Sequence, residues 1–244
     1  MYIRALQGSE EALGPDHTST LETVNSLGSL YKNQGKLAEA EKMYDRALQG
    51  REEALGPDHT STLETVNSLG SLYKNQGKLA EAEKMYDRAL QGREEALGPD
   101  HTSTLGTVNN LGSLYKNQGK LAEAEKMYIR ALQGREEALG PDHTSTLGTV
   151  NNLGSLYKNQ GKLAEAEKMY DRALQGYEDA LGLELAASYL PALNTVFALG
   201  DLFSQTDRKD MAKAMYNRAL FGYTTVQGPS SKWCRQLENR LQAL

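Results

Sequence analysis

The sequence predicts an all-α fold, a solenoid of stacked antiparallel helix pairs, and three observations support this. The eighteen-residue segment LGSLYKNQGKLAEAEKMY occurs unchanged at Leu27, Leu69, Leu111 and Leu153, at a constant step of 42 residues. Each step contains two stretches with apolar residues three or four positions apart, which is the period of an amphipathic helix. One helix pair cannot bury apolar residues on both of its sides, whereas stacked pairs can. Such repetition suits a modular scaffold, not a catalytic site, which needs several different groups at one point.

The second copy shows how each helix of a pair is expected to begin and end. Asp58, His59 and Thr60 are N-cap candidates for its first helix, and Gln76-Gly77 is the expected stop. The second helix is expected to end at Gly98-Pro99, where a permissive residue precedes one that cannot continue a helix. Each unit is therefore predicted to be a helical hairpin.

The apolar and small residues of this copy resemble the tetratricopeptide repeat, in which Leu-Gly, Tyr, Ala, an aromatic residue and Ala recur at the same offsets. The small residues are expected to let helix axes approach closely. The resemblance implies a right-handed superhelical solenoid. The sequence departs from the usual pattern at Val66, where a large aromatic is common, and in its period, which is 42 residues instead of 34. The matching residues are Leu69, Gly70, Tyr73, Ala82, Tyr86 and Ala89.

The longer unit is similar to the repeats of kinesin light chains. Those units also read Asn-x-Leu, Tyr-x-x-Gln-Gly-Lys, Ala-Glu, Arg-Ala-Leu and Leu-Gly-Pro-Asp-His. Near-identical consecutive copies also resemble the C-terminal arrays of fungal NOD-like receptors. These resemblances imply an interaction protein.

The repeat step predicts the organisation of the whole chain. Residues 1–229 are expected to form the array, and residues 230–244 a C-terminal capping helix. The array divides into a half-unit at 1–14 and units at about 15–56, 57–98, 99–140, 141–182 and 183–228. In the last unit, four additional residues predict an extended first helix that is kinked at Pro191 or begins there.

The N-terminal half-unit begins in the middle of a second helix, so we expect an upstream part of a longer array or receptor. Tyr2, Ala5, Leu6 and Leu13 would then lack a neighbour. An exposed apolar face is a liability, and it predicts self-association through this half-unit.

Composition excludes several classes of partner. Apolar residues make up 39% and charged residues 24% of the 244 residues, and the formal net charge is -5. Lys and Arg form no cluster, so neither a nucleic acid nor a membrane surface is expected as a partner. No apolar run approaches the ~18 residues of a membrane span. The single cysteine suits a reducing compartment, and we predict a cytoplasmic protein.

Two motifs that could suggest chemistry are better explained by helix structure. Gly70 to Leu79 has six residues between its glycines and no hydroxyl after the lysine, so it does not fit a phosphate-binding loop. The four Asp-His pairs are expected to cap helices instead of binding a metal. The pairs are Asp16-His17, Asp58-His59, Asp100-His101 and Asp142-His143.

The remaining reactive or unusual residues are also given structural roles. Glu81 and Glu83, two positions apart, do not face each other on a helix and are expected on a solvated face. Cys234 is expected to be a small apolar residue of the capping helix, and Trp233 to pack beneath it. We therefore predict no catalytic residue, no cofactor, no metal and no enzymatic activity.

A polar ladder opposite the apolar stripe of the first helices is the candidate partner-binding groove. Resemblance to tetratricopeptide proteins implies that the first helices line the concave groove and that these positions touch bound peptides. An ordinary solvated face, copied by duplication, is the alternative. Phe197 is expected to close the groove with an aromatic contact. The ladder consists of Asn25, Ser29, Lys32, Asn67, Ser71, Lys74, Asn109, Ser113, Lys116, Asn151, Ser155 and Lys158.

The predicted function is a scaffold that binds a protein or an extended, moderately acidic peptide in this groove. The lysines of the ladder favour acidic groups, although exposed charges contribute modestly. The groove should be more acidic at its N-terminal half, because Glu22 and Glu64 are replaced by Gly106 and Gly148. The ligand-sensing region of a larger receptor is the first interpretation. A kinesin-light-chain-like cargo adaptor and a self-assembly scaffold are the alternatives.

Overall fold

The computed structural model describes residues 2–244, with side chains from Arg4 onward. These residues form two compact units, and the boundary between the units falls between Lys120 and Leu121. Across these described residues the backbone forms helices and short connections, without a β-strand. None of the helices in this part of the chain is both long enough and apolar enough to cross a membrane. The all-helical prediction is confirmed.

Helices of the first unit alternate between a shorter and a longer length. In its two complete pairs, the first helix contacts the second helix that follows it, and that second helix contacts the next first helix. First helices of consecutive repeats also touch each other. The helices are α1 (Tyr2–Leu13), α2 (Thr18–Asn33), α3 (Leu37–Leu55), α4 (Thr60–Asn75), α5 (Leu79–Leu97) and α6 (Thr102–Asn117).

The second unit continues the alternation and ends in a different way. The four additional residues of its last repeat form a separate short helix, and the following first helix begins at Leu190 with Pro191 in its first turn. The helix begins at the proline, which was one of the two expected forms, but at 16 residues it is no longer than the other first helices, so the expected extension is wrong. The helices are α7 (Leu121–Leu139), α8 (Thr144–Asn159), α9 (Leu163–Leu181), α10 (Leu183–Ala186), α11 (Leu190–Gln205), α12 (Lys209–Gln227) and α13 (Lys232–Gln242).

Histidine supplies the N-cap of the first helices in both units. The Nδ1 atom of His59 accepts a hydrogen bond from the backbone N–H of Ser61 at 3.2 Å, which satisfies one of the free donors at a helix start. His17, His101 and His143 do the same. The capping explanation of the Asp-His pairs is confirmed. At the expected stops, Gly77 and Gly98 have φ angles of +77° and +92°, in the left-handed region.

Glycine and tyrosine pack together inside each described hairpin. A Cβ atom added to Gly70 would lie 2.8 Å from two carbons of the Tyr86 ring, which is fully buried. Gly28 with Tyr44, Gly154 with Tyr170 and Gly200 with Tyr216 repeat this contact. The expectation that small residues permit a close helix approach is confirmed.

The C-terminal helix α13 covers the end of the last repeat. Cys234 is fully buried, and the ring of Trp233 stacks on Tyr223 with a centroid distance of 5.5 Å and an interplanar angle of 13°. Both residues therefore pack as expected. At the other end, Ala5 and Leu13 of α1 are exposed and Leu6 is half-buried, whereas the side chain of Tyr2 lies outside the described residues.

Candidate partner-binding surface

The ladder positions are more buried than a solvated face would be. Asn25 is only 7% exposed, and the other eleven ladder residues are half-buried. The ladder residues are therefore partly covered by neighbouring side chains. We call the surface formed by the nine ladder residues of the first unit, on α2, α4 and α6, the ladder face, and it lies where these neighbouring first helices adjoin.

Lysines of the ladder face donate to the next repeat. Lys32 Nζ donates to Ser71 Oγ at 3.2 Å, and Lys74 Nζ donates to Ser113 Oγ at 3.0 Å. Both acceptors are neutral hydroxyls. Among the ion pairs of the described residues, none includes Lys32 or Lys74. Two half-buried ammonium groups thus lie side by side without a carboxylate in contact.

The electrostatic cost of this arrangement lowers the pKa values of the two lysines. Burial, with smaller contributions from Lys116 and Lys32, lowers the pKa of Lys74 to about 8. Burial also lowers the pKa of Lys32. Desolvation and like charge both disfavour the ammonium form, and a negative group placed nearby would favour it.

The ladder asparagines are partly engaged between repeats. Asn110 donates from Nδ2 to Asn67 Oδ1 at 3.2 Å, and Thr195 donates from Oγ1 to Asn151 Oδ1 at 3.0 Å. The side-chain carbonyls of Asn67 and Asn151 are therefore used within the protein. Their amide N–H groups are what these two residues would offer to a ligand.

A ladder serine, Ser29, and the predicted groove residue Phe197 also contact residues of the core. Ser29 Oγ lies 2.9 Å from the hydroxyl of Tyr44. In the last repeat, Phe197 is not an isolated aromatic side chain on the groove surface. Its ring packs against Tyr216 and Trp233 with centroid distances of 6.0 and 5.9 Å. Phe197 thus belongs to the core beneath α13.

A polar cavity of about 330 Å³ lies in the last repeat. It is lined by Lys158, Asp201, Ser204, Gln205, Tyr216 and Arg240. Asp201 stands at the ladder-serine position, accepts a hydrogen bond from the hydroxyl of Tyr216 at 2.7 Å and pairs with Arg240 at 3.2 Å. The last ladder position is therefore acidic, beside a lysine of the preceding repeat.

The contacts of two groups of polar residues were missed by sequence reasoning. Glu83 is half-buried and accepts hydrogen bonds from Gln118 and Lys120 of the next repeat, at 2.8 and 3.4 Å, so this residue of the polar face also joins two repeats. Arg51 and Arg93 are buried, which the sequence analysis did not anticipate. An arginine that recurs at one position of three consecutive units, as Arg51, Arg93 and Arg135, is the signal that could have revealed the second group.

Comparison with known families agrees with this architecture. A tetratricopeptide repeat sequence model matches residues 19–95, 61–115 and 103–179, and another matches residues 193–220. The chain belongs to the tetratricopeptide repeat family. Comparison with curated protein sequences gave no match.

Several solved structures share the fold at low sequence identity. BtubC (BKLC) from P. vanneervenii is 21% identical with a TM-score of 0.68, over 100% of this chain and 89% of that one. A kinesin light chain-like protein of Podospora anserina with nearly identical repeats is 19% identical, with a TM-score of 0.63 over 86% and 98% of the chains. NprR in complex with its cognate peptide NprX is 16% identical, with a TM-score of 0.74 over 98% and 65%. At these identities the likeness shows the fold alone.

Proposed function

We propose that this tetratricopeptide chain is a cytoplasmic interaction scaffold whose ladder face binds a moderately acidic, extended segment of a partner protein. The observation that carries the proposal is the pair of half-buried ammonium groups, Lys32 and Lys74, which have only neutral acceptors. Proteins rarely bury a charge without a partner of opposite sign. A carboxylate of a ligand would supply that partner.

The energetics favour an acidic ligand of short extended form. Charge-assisted hydrogen bonds are about twice as strong as neutral ones, and half-buried charges are screened less by salt than exposed ones. Lys32, Lys74 and Lys116 lie on three consecutive first helices. At helix separations of roughly 8–10 Å the row is about 20 Å long. An extended chain rises ~3.3 Å per residue, so about six residues of a partner would follow the row.

The comparisons support an interaction role of this general kind. NprR was crystallised with its cognate peptide, and it shares the fold of this chain. The tetratricopeptide family consists largely of protein-interaction scaffolds, which agrees with the predicted lack of an enzymatic activity. The acidity of the partner is our inference from the lysines of the ladder face.

Replacing Lys74 by methionine tests the proposal directly. We would select binders from a random peptide display library and measure the affinity of the best peptide by fluorescence anisotropy. We expect selected peptides to be rich in Asp and Glu, and Lys74→Met to weaken binding about 5-fold or more, as the loss of a charge-assisted bond requires. The melting temperature should stay level or rise, because the variant no longer buries a charge.

The exposed Lys84 of α5 provides the matched control, since Lys84→Met makes the same change of charge away from the ladder face. It should leave affinity unchanged. Selected peptides without acidic residues, or equal affinity of Lys74→Met and wild type, would contradict the proposal.

Within this role we propose the ligand-sensing region of a larger receptor as the finer function, with a kinesin-light-chain-like adaptor as the alternative. The near-identity of consecutive copies supports the receptor, and the names of the BtubC and Podospora relatives support the adaptor. A nucleotide-binding domain encoded upstream would favour the receptor, and a coiled coil would favour the adaptor. Self-association through the exposed residues of α1 is a separate proposal, which light scattering coupled to size-exclusion chromatography would test.

A further inference from the structure

Glu64 of α4 supplies a carboxylate to a buried arginine of the preceding helix. Arg51 is 3% exposed, and its Nη1 donates to Glu64 Oε2 at 3.3 Å. The same nitrogen donates to the carbonyl oxygen of Ser61 at 2.6 Å and to Thr65 Oγ1 at 3.0 Å. In this repeat the chain itself therefore neutralises its buried guanidinium.

Glu64 also faces the equivalent arginine of the following helix. It lines a cavity of about 250 Å³ together with Arg93, Leu97 and Ser103. Burial lowers the pKa of Arg93, and the charge of Glu64 acts in the opposite direction. Glu64 thus lies between Arg51 of the preceding hairpin and Arg93 of its own hairpin.

Two repeat steps later, in α8, this position is Gly148 and the carboxylate is gone. Arg135 keeps the other bonds, from Nη1 to the carbonyl of Ser145 at 2.9 Å and to Thr149 Oγ1 at 2.7 Å. Its Nε is buried without an acceptor, and burial lowers the pKa of Arg135 with no carboxylate acting against it. This guanidinium is bonded only to neutral oxygens.

The hydroxyl of Tyr177 is the nearest group to the open space beside Gly148. A Cβ at residue 148 would meet only the hydroxyl oxygen of Tyr177, at 3.7 Å, so the space beside the glycine is open. That hydroxyl makes one long bond, 3.5 Å to the carbonyl of Thr144. Burial raises the pKa of Tyr177, so the hydroxyl keeps its proton and can donate.

We propose that the slot beside Gly148, between Arg135 and Tyr177, binds a carboxylate group of the partner in the place that Glu64 occupies in α4. That the carboxylate comes from the partner rests on the proposed function. The slot would be a second contact with the partner, nearer the N-terminal end of a first helix. Arg135 would provide a charge-assisted bond and Tyr177 a neutral one. Because the guanidinium of Arg135 is largely desolvated already, a carboxylate would bind more strongly there than to an exposed arginine.

The side-chain Nε–H signals of the arginines give a direct test with small probes. We would titrate ¹⁵N-arginine-labelled protein with N-acetyl-glutamate amide, which carries only a side-chain carboxylate, and with N-acetyl-alanine, which carries only a C-terminal one. We expect a saturable shift of the Arg135 signal and little change at Arg51, whose slot holds Glu64. The probe that binds more tightly identifies the source of the carboxylate. N-acetyl-glutamine amide is the neutral control.

Variants at the glycine sharpen the test. Gly148→Glu should abolish the response of Arg135, because the chain would fill its own slot, whereas Gly148→Ala should keep the response. Tyr177→Phe should weaken binding several-fold. An equal shift with the neutral probe, an equal shift at Arg51, or no shift at Arg135 would overturn the inference.

The two proposals can fail separately. If the acidic peptide still depends on Lys74 but Arg135 does not respond to either carboxylate probe, the slot is refuted and the proposed function stands. If Arg135 responds but no acidic peptide binds the ladder face, the slot stands as a carboxylate site and the proposed function is refuted.

Discussion

Alanine at two glycines of the same helix, α8, should change stability in opposite directions. A Cβ at Gly154 would lie 2.8 Å from two ring carbons of Tyr170, whereas carbon atoms prefer separations of about 3.5–4.0 Å. The ring of Tyr170 is 1% exposed, so it has no solvent-filled space to move into. At Gly148 the nearest atom, the hydroxyl oxygen of Tyr177, would be 3.7 Å away, an ordinary contact.

The magnitudes follow from two opposing effects. Overpacking a core costs typically 1–3 kcal/mol, and replacing a mid-helix glycine by alanine gains roughly 0.5–1 kcal/mol. Gly154→Ala should therefore lose up to about 2.5 kcal/mol, and Gly148→Ala should gain about 0.5–1 kcal/mol. For a chain of this length, 1 kcal/mol corresponds to a change of about 2–4 °C in melting temperature.

Circular dichroism during thermal and urea denaturation of both variants would measure the difference. The helical signal at low temperature should be the same in both. If Gly154→Ala were as stable as Gly148→Ala, the Tyr170 ring would have to move freely, and the close-packing argument for all the glycine–tyrosine pairs would be refuted.

Three further perturbations test the caps, the buried charge and the contacts between repeats. His59→Ala should cost about 1 kcal/mol by urea denaturation, and His59→Asn should restore most of it, because asparagine is also a good N-cap. The destabilising contribution of charged Lys74 should fall between pH 8 and 10, because folded Lys74 loses its proton near pH 8 and the unfolded chain keeps it to about pH 10.4. The free energy of unfolding of wild type should therefore rise relative to that of Lys74→Met over this range, and identical pH profiles of the two proteins would contradict the burial of this charge. Glu83→Ala should destabilise more than Glu81→Ala in the same assay, because Glu83 bonds to Gln118 of the next repeat and Glu81 is exposed.

The helices, their ends and their contacts within a pair could be predicted because they depend on local sequence. A helix start needs an N-cap, a stop needs glycine, and a close axis approach needs a small residue opposite a large one. Those requirements are visible within one unit of 42 residues. The histidine caps and the contact of Gly70 with Tyr86 were accordingly foreseen.

The burial of polar groups could not be predicted, because it depends on how one hairpin is placed against the next. Helical periodicity separates the apolar stripe of a helix from its opposite face. It does not show that part of that opposite face is covered by the following repeat. Lys74 reaches Ser113 and Glu83 reaches Gln118 across that junction. Both contacts join residues of different units, and only the structure shows which residues of the two units face each other.

The repeated junction has an evolutionary consequence. Glu41 with Gln76 and Glu83 with Gln118 join successive repeats by the same bond at the same distance of 2.8 Å, and Glu125 with Gln160 does so at 2.9 Å. If recombination between identical gene segments added or removed a copy, the repeats brought next to each other would therefore form the same Glu–Gln hydrogen bond. The number of repeats can change without any compensating substitution at the junction. Only the positions that differ between copies, such as Glu64 and its counterpart Gly148, would then change their places along the array, while the joints stayed unchanged.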